Sequence, residues 1–119
     1  MDRLAPGSLL AQVRPANTTA ATAFTAATGL RTAITTVVIC NTSGAACTAR
    51  VFHDDDGSTY DQTTALLYDV PLAAGETILF ESGVAADGFT LMPTGTIGVR
   101  TSVASAITFS VYGVTQQVR

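Results

Sequence analysis

The feature that most constrains the fold is the stretch Leu30–Asn41, in which Val, Ile and Thr predominate. These β-branched side chains are stiff at χ1 and pack well on a pleated sheet, so the stretch predicts a strand. Strand alternation predicts one face made of Ile34, Thr36, Val38 and Cys40, and an opposite face made of Ala33, Thr35, Val37 and Ile39. Because both faces are apolar near its end, we expect a central strand covered on both sides there.

A run of turn-forming residues follows in Asn41–Gly44, and a second β-rich stretch covers residues 46–53. This pattern predicts a hairpin whose two strands pair directly. Cys40 and Cys47 flank the turn, and simple antiparallel register would bring them close enough for a cross-strand disulfide. Two small, reduced and buried thiols are the alternative.

The rest of the chain predicts further short strands between turns rich in Gly, Pro and Asp. We expect strands within residues 18–28 and at 65–70, 76–81, 89–92, 96–101 and 107–114, with Pro71 ending the strand before it. In the last strand, Ile107, Phe109 and Val111 should point inward. No segment shows helical periodicity. The fold class is therefore all-β, a single antiparallel β-sandwich of the jelly-roll or immunoglobulin-like type.

The N-terminal residues 1–19 form a separate unit in this prediction, ahead of a sandwich domain at 20–119. Pro6 and Pro15 bracket a short alternating piece. Proline cannot donate to a strand ladder and is confined to the periphery of sheets. We therefore expect an extended N-terminal arm or an edge strand here.

Charged residues make up 13% of the chain and apolar residues 47%, with a mean hydropathy of +0.36. So few charges favour a domain that buries much of its surface against protein. The six basic residues are scattered arginines, which is atypical of nucleic-acid binding. No apolar run approaches the roughly 18 residues of a membrane helix. The segment Met1–Pro6 lacks the apolar core of a secretion signal, so synthesis and assembly in the cytoplasm are expected.

Charge gathers in one place, residues 54–62. Oxygens for a calcium ion could come from Asp54, Asp56, Ser58 and Asp61. Their spacing departs from the EF-hand pattern, and a solvated loop without a cofactor is the favoured interpretation. His53 should contact this loop. No Gly-x-Ser-x-Gly turn accompanies it, so we expect neither a catalytic triad nor an enzyme.

Four phrases occur in order along the chain, at Pro15–Thr18, Val37–Asn41, Pro71–Thr77 and Ile107–Val114. In this order they resemble a group of small all-β structural proteins of tailed bacteriophages, assigned to head decoration, head fibres or the neck and tail. The resemblance covers nearly the whole chain and consists of turn and strand phrases. It implies a non-enzymatic virion component, assembled in the host cytoplasm, and carries over no catalytic residue.

Within that group, the expected role is a capsid decoration or minor head protein that binds and stabilises the assembled shell of the major capsid protein. A neck, collar or tail/fibre-base protein is the alternative. By analogy, we expect a homo-oligomer, with a trimer as the favoured form. The N-terminal arm is the expected contact segment, adding to a neighbour's sheet edge or lying across a capsid subunit. Its interface residues would be Arg3, Leu9, Leu10, Val13 and Arg14.

An alternative from a different class is a carbohydrate- or receptor-binding module. Such modules usually present an exposed aromatic ring, and this chain has no Trp. Tyr60, in the acidic loop, is the candidate ring. Together with a calcium ion it would form a lectin-like site.

Overall fold

The computed structural model describes residues 8–81 and 89–117. Within these ranges it contains nine strands and no helix, and hence no helix that could span a membrane. The strands are β1 Ser8–Val13, β2 Ala21–Thr25, β3 Leu30–Asn41, β4 Cys47–Asp54, β5 Ala65–Leu72, β6 Thr77–Glu81, β7 Phe89–Leu91, β8 Thr96–Thr101 and β9 Ile107–Gln117.

The strands form two antiparallel sheets that pack against each other. Sheet A has the order β1-β9-β3-β6, with β7 also paired to β3, and sheet B has the order β2-β8-β4-β5. β3 lies in the middle of sheet A, as predicted, between β9 on one side and β6 and β7 on the other. The expected cover on both of its faces is not found among the described residues, where sheet B packs on one face alone. The two-layer, all-β architecture predicted from the sequence is confirmed.

The core lies between the sheets and is built from alternate residues of the long strands. Ile107, Phe109 and Val111 are fully buried in β9, as their alternation predicted. Val51 in β4 and Val99 in β8 meet them from sheet B. Pro71 does not end the strand before it, because β5 is the edge strand of sheet B, where a missing N–H donor costs no ladder bond.

The predicted faces of β3 are wrong over half of its length. Thr32 and Ile34 are buried, but so are Val37, Ile39 and Asn41, so the inward positions change from even to odd numbers. A β-bulge between Ile34 and Thr36 inserts one extra residue and reverses the alternation. The partner at this bulge is Gly113, where a Cβ would collide with the carbonyl oxygen of Ala33. Glycine at 113 therefore permits the close approach of β9 to β3.

The predicted hairpin between β3 and β4 is also wrong, because the two strands belong to different sheets. The buried side chain of Asn41 explains the crossing. Its Nδ2 donates to the carbonyls of Ala45, Leu72 and Ala73 at 2.9–3.3 Å, and its Oδ1 accepts from Ser43. This amide ties the connection to the end of β5 in sheet B, which directs the chain away from sheet A.

The cysteines therefore do not face each other across a hairpin. Cys40 pairs in register with Thr77 and Thr108 in sheet A, whereas Cys47 lies opposite Leu72 in sheet B. Both thiols are free. Burial raises the pKa of the Cys47 thiol. The structure therefore contains two reduced cysteines, and Cys40 and Cys47 do not form the cross-strand disulfide.

Residues 8–13 of the predicted arm form the edge strand β1 of the chain's own sheet A, paired with β9. Its side chains at Leu10, Ala11 and Val13 pack against the core. Residues 1–7 of the predicted arm lie outside the described residues. Of the two predicted alternatives, an extended arm or an edge strand, residues 8–13 form the edge strand.

Candidate functional surfaces

The acidic loop between β4 and β5 is organised by its own carboxylates. Asp54 is 7% exposed and accepts hydrogen bonds from the backbone N–H groups of Asp56, at 3.2 Å, and Thr59, at 2.7 Å. Asp61 accepts from the N–H and the hydroxyl of Thr63, at 2.8 and 2.6 Å. These carboxylates therefore act as internal caps for a polar turn, a common role of Asp in loops.

The same contacts shift the pKa values of the loop carboxyl groups in different directions. The N–H of Thr59 is the main cause of a lowered pKa at Asp54, and the Thr63 hydroxyl is the main cause at Asp61. Asp56 behaves in the opposite way: its hydrogen bond with Asp54 and the negative charge there raise its pKa. Asp54 and Asp61 are thus held ionised by donors within the loop.

The four candidate calcium ligands fall on this loop but have different surroundings. Asp54 is buried and bonded to backbone, while Asp56, Ser58 and Asp61 are exposed. Among the described residues, no group of three or more His, Cys, Asp or Glu side chains could hold a metal ion. Calcium binding therefore stays a prediction from residue types.

His53 contacts the acidic loop as expected, with its Nε2 3.1 Å from Oδ1 of Asp55. The same oxygen accepts a hydrogen bond from the N–H of Met92, between β7 and β8. Asp55 and Met92 are 37 residues apart, so the sequence gives no indication of this contact. The pair of His53 and Asp55 thus joins the end of β4 to the neighbouring connection.

Tyr60 folds back from the acidic loop onto the outer face of sheet B. Its ring centroid lies 5.6 Å from that of Phe52, and its hydroxyl bonds to the hydroxyls of Thr22, at 2.6 Å, and Thr96, at 2.9 Å. A Cβ at Gly98 would lie 2.5 Å from the ring, so glycine leaves the space that the ring fills. The expectation that Tyr60 is an exposed sugar-binding platform is wrong, because the ring is a cover for sheet B.

The remainder of the outer face of sheet B carries paired charges. Arg50 donates from Nε and Nη2 to the two carboxylate oxygens of Asp69, at 2.7 and 3.1 Å, and its guanidinium lies 3.9 Å from the ring centroid of Tyr68. The hydrogen bond with Arg50 is the main cause of the lowered pKa of Asp69. Arg100 lies 3.9 Å from the same carboxylate and donates to the carbonyl of Thr18.

Asp69 reaches both arginines from a backbone conformation with φ of 56°. This left-handed region is tolerated by Asp more readily than by most residues, because its short polar side chain can bond locally. The strand register against β4 is irregular at this point. Sequence reasoning did not find this cluster, since Arg50 and Asp69 are 19 residues apart and no motif links them.

The outer face of sheet A has a different composition. Strand alternation and cross-strand register place on it Leu9, Gln12, Arg31, Ala33, Thr36, Val38, Cys40, Thr77, Leu79, Glu81, Thr90, Thr108, Ser110, Tyr112 and Val114. Leu9 and Leu79, at its two sides, are 50% and 60% exposed. One row across the sheet reads Gln12, Ser110, Val38, Leu79, and Gln12 bonds to Ser110 at 2.9 Å.

Charge is nearly absent from this face. In the described strands of sheet A, the only charged residues are Arg31, near the start of β3, and Glu81, at the end of edge strand β6. A broad surface of aliphatic and hydroxyl side chains exchanges water for protein at low cost, because few charges must be desolvated. The arrangement can bind another protein surface.

The interface residues predicted from the sequence are divided by the structure. Leu9 is exposed on the outer face of sheet A, and Arg14 is exposed just beyond β1. Leu10 and Val13 pack against the chain's own core instead. Arg3 lies outside the described residues. Leu79 and Val38, which lie on the same face as Leu9, were not singled out, because their outward direction follows from the bulge in β3 and the pairing with β6.

A comparison of the chain with protein-family models, with curated proteins and with solved structures finds no significant match.

Proposed function

We propose that this chain is a non-enzymatic structural subunit of a tailed-phage virion, a capsid decoration or minor head protein that binds and stabilises the assembled shell. The observation that carries the proposal is the outer face of sheet A, where Leu79 and Leu9 are exposed and the charges of the described residues lie only at the margins. Such a surface is suited to burial against protein. The resemblance of the strand and turn phrases supplies the virion context.

The strand order supports a finer fold assignment, which we also propose. With β7 set aside, the orders β1-β9-β3-β6 and β2-β8-β4-β5 correspond to a double-sheet jelly roll of eight strands, rather than to an immunoglobulin-like sandwich. Jelly rolls occur in viral capsid and lectin domains. Fold analogy supports a structural role in a virion but assigns no residue to it.

The partners in this proposal are further copies of the chain and other virion proteins, above all the major capsid protein. A symmetric lattice of binding positions multiplies weak contacts into firm attachment. A neck, collar or tail/fibre-base position is the second candidate, since the same surface would serve in a ring. The trimeric form is proposed solely from the resemblance to the structural proteins of tailed phages.

Labelling of intact particles tests the proposal. A short epitope tag is added after Arg119, virions are purified, and gold-labelled antibody is imaged by electron microscopy. Label distributed over the head is the expected result. Label confined to the neck or tail would replace the favoured position by the alternative, and particles without label would overturn the virion assignment.

A glycan array with and without a calcium chelator separates the binding-module alternative. The proposal predicts no glycan binding, because the ring of Tyr60 is packed on Phe52 and bonded to Thr22 and Thr96. Calcium-dependent binding to a defined glycan would instead favour a lectin-like module and contradict the structural role.

A further inference from the structure

We infer that the outer face of sheet A is a self-association surface, covered by another copy of this chain. The inference deepens the proposed function and rests on the self-association included in it. It assigns that self-association to one surface, whose exposed apolar side chains are Leu9 on β1 and Leu79 on β6, at the two sides of Val38 on β3.

The size of the face matches this use. β3 has 12 residues and β9 has 11. At roughly 3.3 Å per residue and 4.8 Å between strands, the strands of sheet A cover about 600 Å² in projection. Side-chain relief increases the accessible area further. A standard protein interface takes about 800 Å² from each partner, so this single face nearly supplies a stable contact.

The distribution of charge is compatible with a second copy as the occupant. The chain has a net charge of −3, so two copies repel each other at long range. Tyr60 of the acidic loop lies on the outer face of sheet B, against Phe52 and Gly98, and Asp55 of the loop contacts Met92 in the connection from β7 to β8. Two copies joined through their sheet A faces therefore keep their acidic loops outside the contact. The charges at the margins, Arg31 and Glu81, are opposite in sign.

Sheet B offers no comparable surface. Its outer face holds Arg50, Asp69 and Arg100 in an internally paired cluster, and its end is covered by the acidic loop. Burying those groups would require desolvating charges that already have partners, which a new contact repays poorly. Of the two outer faces, only that of sheet A can be covered without this cost.

Two leucines provide a matched pair of variants for the test. Leu79 lies on edge strand β6 of sheet A, and Leu66 lies on edge strand β5 of sheet B. Both are exposed, at 60% and 39%, so a lysine at either position can extend into water in the monomer. Circular dichroism and thermal melting check that Leu79→Lys and Leu66→Lys remain folded.

Sedimentation velocity over a concentration series then measures self-association. The wild-type chain and Leu66→Lys should form the same oligomer with the same dissociation constant. Leu79→Lys should raise the dissociation constant by about 100-fold or more, since a lysine without a partner would be buried in the contact. Leu9→Lys, at the opposite side of the face, should act in the same direction.

A wild-type chain that stays monomeric throughout the series would overturn the inference, as would a loss caused equally by Leu66→Lys. The virion test fails independently of this one. The chain could instead be a monomer that is found on labelled particles and that no longer binds them as Leu79→Lys. This result would mean that a shell protein covers the face, which would overturn the inference and leave the proposed function standing. If Leu79→Lys disrupts an oligomer but the chain is absent from particles, the inference stands and the proposed function is overturned.

Discussion

The two outer faces of this molecule are both built from antiparallel strands, yet only one is completed by the chain itself. On sheet B, the acidic loop lays Tyr60 over Phe52 and Gly98, and Arg50 is paired with Asp69. On sheet A, the described residues include no such cover, and Leu79 is 60% exposed. A charged face finds its partners within the chain, whereas an uncharged face retains apolar area that another protein can bury.

The largest expected effect comes from removing the cover of sheet B. Tyr60→Ala deletes the ring over Phe52 and the hydroxyl bonded to Thr22 and Thr96. We expect the free energy of unfolding to fall by about 3 kcal/mol, from lost packing and unpaired hydroxyls. Chemical denaturation measures this change.

Tyr112→Ala, on the outer face of sheet A, is the matched control for that variant. Its ring is half-buried on a face without a described cover, so we expect a loss of about 1 kcal/mol or less in the monomer. Equal losses for Tyr60→Ala and Tyr112→Ala would remove the distinction between the two faces.

The next effect concerns Gly98, which leaves space for the ring of Tyr60. A methyl group at this position would lie 2.5 Å from the ring, so Gly98→Ala should force the ring away and cost about 2 kcal/mol. The same substitution in a Tyr60→Ala background should cost much less, because the clashing ring is gone. Additive costs in this double-mutant cycle would show that the ring does not lie on Gly98.

A substitution in the core between the two sheets should have a smaller effect, an increase in the free energy of unfolding. Thr32 is fully buried, and its Oγ1 has no hydrogen-bond partner among the described residues. Thr32→Val keeps the branched shape and removes the unpaired hydroxyl, so we expect the free energy of unfolding to rise by about 1 kcal/mol. Thr36→Val, on the outer face of sheet A, should change the monomer's stability little. A destabilised Thr32→Val protein in thermal melts would contradict the assignment of an unpaired hydroxyl.

The smallest effect is the pH dependence contributed by the acidic loop and Asp69. The pKa values of Asp54, Asp61 and Asp69 are lowered in the folded state, so their stabilising contribution is present above the ordinary aspartate pKa of about 3.9 and is lost as pH falls through the folded values. The raised pKa of Asp56 acts in the opposite direction. Asp54→Asn should flatten the acid side of the stability profile. An unchanged slope in acid titrations of unfolding would refute the role of its bonds to Thr59 and Asp56.

The strands themselves were largely predictable from the sequence. Alternating apolar residues in β9 identify Ile107, Phe109 and Val111 as inward residues, because a strand that is buried on one face repeats every second residue. The turn at Gly29 was predictable as well, since its φ of 80° suits glycine. Local patterns thus indicated both the fold class and most strand positions.

The arrangement of the strands depends on contacts that local patterns do not contain. The crossing after β3 is set by Asn41, whose amide bonds to carbonyls 31 and 32 residues away. The bulge at Thr35 reverses the faces of β3, and the β-branched residues on both sides of it give no sign of an extra residue in the sequence. Tyr60 suggested a binding platform because the sequence does not reveal the space above Gly98.

The most direct test of the difference between the two faces is hydroxyl-radical footprinting of the chain, first as the dissociated monomer and then in its assembled state. We expect Leu79 and Leu9 to be oxidised in the monomer and strongly protected on assembly, while Leu66 and Tyr68 on sheet B react equally in both states. Protection of Leu66 and Tyr68, with Leu79 oxidised as readily as in the monomer, would show that assembly covers sheet B and leaves sheet A open.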